Sequence, residues 1–101
     1  MATMLAGIQL IPNGKEDHTG GIANKVIDVI EQSGLRHRVG PLETVVEGDF
    51  DSLMALLRDV HQQAVQAGAE EVLTNVKMHY RTSGVSLEDK QGDVYERLST
   101  D

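Results

Sequence analysis

Between Glu43 and Arg81 the spacing of apolar residues changes twice, from alternation to a helical stripe and back, and few architectures accommodate that order of periods. Glu43, Thr44, Val45, Val46, Glu47 and Gly48 read as a short strand. Leu53, Leu57, Val60, Ala64 and Ala67 then recur at helical spacing, with Asp49 or Asp51 placed to cap the helix and Gly68 to stop it. From about Glu70 to Arg81, Val72, Thr74, Val76, Met78 and Tyr80 alternate with Leu73, Asn75, Lys77, His79 and Arg81. This predicts a strand with one mostly apolar face and one face carrying polar groups in succession.

The rest of the chain attaches to that unit. Met4 to Ile11 is a nearly continuous apolar run, which predicts a central strand ended by Pro12, Asn13 and Gly14. A polar loop through Gly20 and Gly21 leads to a helix with Ile22, Val26, Ile27, Val29 and Ile30 on one side and Gly34 as its stop. Leu35 to Val39, then Gly40 and Pro41, reads as the edge arm of a hairpin with the Glu43 strand. After the Thr82, Ser83, Gly84 turn, Ser86 and Asp89 have capping-box spacing, and a short helix through Leu98 is expected. Strand, helix, strand, strand, helix, strand describes an α+β, ferredoxin-like βαββαβ sandwich with a short extra helix, a single domain over residues 1–101. Its first and third strands would be central, both long helices would cover one sheet face, and the other face would be left open.

Composition narrows the function classes. The 16 acidic residues outnumber the 9 lysines and arginines, for a formal net charge of −7, which repels nucleic acid and anionic membrane surfaces. With no cysteine, thiol catalysis, disulfides and thiolate metal sites are excluded. No stretch has the length and apolarity of a membrane span, and the expected location is the cytoplasm.

Alternation assigns the open face. With Val72, Val76 and Met78 turned to the helices, Leu73, Asn75, Lys77, His79 and Arg81 face away, joined by Leu5, Gly7, Gln9 and Ile11 from the first strand. On the third strand either Thr44 and Val46 or Glu43, Val45 and Glu47 share that face, the carboxylates being the more natural partners for Lys77 and Arg81. Such a face is too apolar for water and too polar for a core, so a second subunit is expected to bury it. Gln9, Glu47, Asn75, Lys77 and His79 would then line a partly desolvated cleft able to hold a small polar heterocycle, or would satisfy one another as interface bonds.

Other chemistries find less support. His18, His37, His61 and His79 lack metal-ligand spacing, and His61 reads as a solvated helix residue. Glu43 and Glu47 could form an acid pair, but no nucleophile pattern or phosphate loop accompanies them.

The run Gly40, Pro41, Leu42, Glu43, Thr44, Val45, Val46, Glu47, Gly48 resembles the GPxxTxxEG signature of the small thiamine-binding proteins of the UPF0045 (DUF77) group. So do Ile11 to Gly14, Gly68 to Lys77, and Leu87 to Lys90, covering nearly the whole chain in order. The resemblance implies a ferredoxin-like fold, homodimers or homotetramers assembled through the sheets, and non-catalytic binding of thiamine or its hydroxymethylpyrimidine part, with no cofactor. It carries a ligand-lining role onto Thr44 and Glu47. The commoner form has acidic residues where this chain has His79 and Tyr80, and a serine in place of Gln9, so Gln9, Asn75, Lys77 and His79 rest on face geometry. Two other classes stay open: a small dimeric enzyme using His79 as base, and a regulatory interaction module without a small ligand.

Overall fold

The apolar run that begins at Met4 lies in the middle of the sheet, with strands on both sides of it. In this computed structural model, residues 3–13 and 19–91 are described. In chain order the elements are β1 (Met4–Asn13), α1 (Thr19–Gln32), β2 (His37–Val39), β3 (Thr44–Gly48), α2 (Phe50–Gln66) and β4 (Glu71–His79), followed by a 3-10 helix, Leu87–Gln91. The sheet order is β2-β3-β1-β4 with all neighbours antiparallel, so the strands flanking each helix run parallel with one strand between them. This is the ferredoxin-like arrangement.

The two helices pack against each other over one sheet face. Met4, Ala6, Ile8 and Val46 meet Ile22, Val26 and Ile30 of α1 and Leu53, Leu56, Val60 and Ala64 of α2 in one buried cluster. Each fully buried Leu, Ile or Val there contributes about 1.5–3 kcal/mol. Asp49 is the cap of α2, its side chain accepting from the Ser52 backbone N–H at 2.7 Å. That bond holds the Asp49 carboxyl below the usual aspartate range. Gly34, at φ +79°, takes the left-handed conformation that ends α1, where a Cβ would be strained.

Four expectations need correction. The open face is not left wholly bare: after β4 the chain turns at Arg81–Gly84 and folds back, Val85 donating to the Thr3 carbonyl at 3.0 Å, with Val85 and Leu87 buried. This clasp is why Leu5, on the open side, is only 2% exposed. His61 is not solvated: its Nδ1–H donates to the Leu57 carbonyl at 2.6 Å, and its Nε2 lies 2.6 Å from Thr74 Oγ1 on β4. Leu56 joins Leu53, Val60 and Ala64 in the buried stripe of α2, whereas Leu57 is only partly buried at its margin. Finally, α1 begins at Thr19, so Gly20 and Gly21 lie in its first turn and not in a preceding loop. His18 and the terminal helix beyond Gln91 fall outside the described residues.

Candidate functional site

Strand register places the polar groups of the open face in rows across the sheet. Across β1 and β4, Leu5 is opposite His79, Gly7 opposite Lys77, Gln9 opposite Asn75, Ile11 opposite Leu73 and Asn13 opposite Glu71. On the other side of β1, Leu5 is opposite Glu47 and Gly7 opposite Val45. The clasp covers the Leu5 end of this surface. The Ile11 end is uncovered, with Ile11 43% and Leu73 59% exposed.

Three of these rows carry side-chain bonds across the strands, the outermost being Asn13 Nδ2 donating to Glu71 Oε1 at 3.0 Å. Asn75 Nδ2 donates to Gln9 Oε1 at 3.1 Å. Each amide keeps its second polar end, the N–H₂ of Gln9 and the C=O of Asn75, for another partner. One row further on, Lys77 Nζ lies 2.8 Å from Glu43 Oε1. Glu43 precedes β3, so its side chain must cross β1 to reach Lys77. It crosses at Gly7, where an added Cβ would collide with the carboxylate.

At the clasped end the carboxylate of Glu47 is occupied. Leu87 donates its backbone N–H to Glu47 Oε1 at 2.9 Å, and Arg36 Nη1 lies 3.3 Å from Glu47 Oε2. Arg36 also bonds Glu88 at 2.7 Å. That second bond is the main reason the guanidinium holds its proton still more firmly and the Glu88 carboxyl sits below its usual range. Asp89 is held low by the Ser86 backbone N–H, donated at 2.9 Å, and pairs with Arg81 at 3.7 Å. His79 Nδ1 is buried there without a hydrogen-bond partner among the described residues. A shallow depression of about 500 Å³ opens beside the clasp, between the α1–β2 connection and Leu87. Among the described residues no group of three or more His, Asp or Glu side chains gathers as a metal cluster would, and no helix is long and apolar enough to cross a membrane.

The family described as "Thiamine-binding protein" matches residues 6–95. The chain belongs to the thiamine-binding protein family. A UPF0045 protein of Clostridium perfringens is 32% identical over 92 residues, spanning 91% of this chain and 97% of the relative. A UPF0045 protein of Bacillus subtilis, YqgV, is 26% identical, spanning 93% and 96%. Among solved structures, a domain of unknown function, DUF77, from Bacillus cereus superposes with a TM-score of 0.84 at 37% identity, over 88% of this chain and 86% of that one. A Thermotoga maritima protein described as a candidate in thiamine biosynthesis or salvage gives 0.80 at 23% identity, over 87% and 94%, a likeness of fold alone.

Within this thiamine-binding family member, Gln9, Glu47, Asn75, Lys77 and His79 share the open face, while Thr44 does not join them. Opposite Ile8 and 8% exposed, Thr44 turns toward the helices. Gln9, Asn75 and Lys77 form one accessible group; Glu47 and His79 belong to the clasped end. Gly7 and Arg36 were not candidates on sequence grounds. A glycine across the strand from a lysine, with a glutamate one strand away, becomes a signal only once register is known.

Proposed function

We propose that this protein binds thiamine or its hydroxymethylpyrimidine part without turnover, on the open sheet face at the Gln9–Asn75 row, in a cleft completed by a second copy of the chain. The observation that carries the reading is the Gln9–Asn75 pair itself. A donor and an acceptor left side by side on a flat sheet complement a ring nitrogen next to an exocyclic amine, the edge an aminopyrimidine presents. The flanking Ile11 and Leu73 supply apolar contact for the ring, and their exposure supports coverage by another subunit, as a dimer or a tetramer. The family membership supports the ligand class. The acidic chain favours a ligand carrying a fixed cation.

Strand geometry also favours binding over catalysis. His79 stands four residues from Asn75 on the same strand, about 13 Å away, too far to act as a base on a pyrimidine held at that row. The role that fits is that of a cytoplasmic carrier or buffer. Isothermal titration of the wild-type protein with thiamine and with hydroxymethylpyrimidine tests the reading, with saturable heat expected for at least one. No heat for either, from protein shown to be folded and assembled, refutes it. Chromatography of a prolonged incubation should return the ligand unchanged, and a new product would make the protein an enzyme.

A further inference from the structure

We propose that Glu43, laid across Gly7, is the anion that receives the cationic part of the ligand, and that Lys77 is an internal cation the ligand displaces. The proposal rests on the binding reading above and assigns the charge within that site. Two carboxylates reach the open face from β3 and the residue before it, and they differ in what they are free to do. Glu47 is 13% exposed and bonded to the Leu87 N–H and to Arg36, so a ligand could take it only by dismantling the clasp. Glu43 has Lys77 as its ion-pair partner among the described residues.

The two members of that pair are unequal. Glu43 is 24% exposed and rests on the backbone of the central strand, in the space a side chain at position 7 would fill. The Lys77 side chain is 82% exposed at the end of a flexible stem, on an edge strand. The anion is therefore positioned by the fold, whereas the cation is held by little beyond the anion. In the single chain, before a second copy covers the face, a pair of this kind is worth at most about a fivefold factor in an equilibrium, so exchanging the ammonium for a ligand cation there costs little.

Register then places the exchange where the ligand needs it. The Gly7–Lys77 row is two residues from the Gln9–Asn75 row, roughly 6.6 Å along the strand. That separation suits two rings joined through a single carbon, the pyrimidine at the amides and the thiazolium over Glu43. The aminopyrimidine alone has no fixed charge and should not depend on Glu43 in the same way.

The test is titration of wild type, Glu43→Gln, Gly7→Ala and Lys77→Gln with thiamine and with hydroxymethylpyrimidine, each variant first checked for folding and assembly. Glu43→Gln should weaken thiamine about tenfold or more, the loss of one charge-assisted contact, while changing hydroxymethylpyrimidine less than about twofold. Gly7→Ala should act in the same direction by pushing the carboxylate off the strand. Lys77→Gln should tighten thiamine by up to about fivefold, because the internal competitor is gone. If wild type binds thiamine and both Glu43→Gln and Gly7→Ala bind it equally well, Glu43 is not the anion and the binding reading survives without it. Weaker binding by Lys77→Gln would make Lys77 a ligand contact and end the displacement proposal. Wild type that takes neither compound removes the binding reading and this proposal together.

Discussion

Replacing Glu47 with alanine should open the clasp at the C-terminal side of the sheet. The variant removes the acceptor for the Leu87 N–H, a bond of 2.9 Å to a carboxylate that is 13% exposed. A hydrogen bond to a charged group at such a site is worth about 1.5–3 kcal/mol. Arg36 adds little, because its guanidinium is more than half exposed to solvent and already bonded to Glu88. About 2 kcal/mol is a large share of the roughly 5–15 kcal/mol that holds a small domain folded. With a urea slope of about 1–1.5 kcal/mol per molar, the unfolding midpoint should fall by roughly 1.3–2 M. Because the clasp is peripheral, its opening should also be visible without global unfolding. The Val85 amide, bonded to the Thr3 carbonyl at 3.0 Å, should exchange with deuterium about 30-fold faster if the whole loss is local. Glu47→Gln keeps an acceptor in place and should lose less than about half as much. Equal losses for the two variants would mean that net charge, not the Leu87 bond, holds the segment, and no loss in either would mean that Val85 and Leu87 are held by apolar burial alone.

Other consequences can be measured alongside. Thr74→Val removes the partner of His61 Nε2 between α2 and β4 and should cost about 1–2 kcal/mol in urea unfolding; a neutral result would mean water replaces the hydroxyl. Because the Ser52 N–H holds the folded Asp49 carboxyl below its ordinary range, the stabilisation it provides is complete above that range and is lost as pH falls through and below it. Asp49→Ala should therefore be less stable than wild type near neutral pH and approach it in acid, and a gap that persists in acid would refute the charged cap. Leu73→Lys places a charge in the exposed apolar part of the open face and should shift the light-scattering mass toward a monomer with unchanged circular dichroism. An unchanged mass would exclude that surface from the interface.

Periods of two and of 3.6 residues were enough to order the strands and helices, because each element has one buried side that the apolar residues must follow. They also separated the face of Gln9, Asn75 and Lys77 from that of Val72, Val76 and Met78, although on the edge strand β4 Val76 and Met78 stay exposed and only Val72 packs against the core. Thr44 was ambiguous, since Val45 and Val46 put a valine on each face of β3, and the choice is made only by pairing with Ile8. The clasp is held by contacts between residues distant in sequence, Leu87 with Glu47 and Val85 with Thr3, which leave no local pattern. His61 was misread by residue type, although Leu57, His61 and Ala64 follow helical spacing and so place it at the margin of the buried stripe. Gly7 looked like an interruption in an apolar run. Register across three strands makes it the point where a glutamate can cross the sheet.

The central place of β1 also bears on how the protein is made. β1 pairs with β3 on one side and with β4 on the other, Leu5 meeting Glu47 and His79. At about 5–20 residues per second, a ribosome needs roughly 2–6 s to translate from Glu47 to His79, the two partners of Leu5. Through that interval Leu5, Ala6 and Ile8 lack one of their two neighbours. Until β4 has been made, β1 therefore keeps one edge unpaired, and slower translation between β3 and β4 lengthens that exposure.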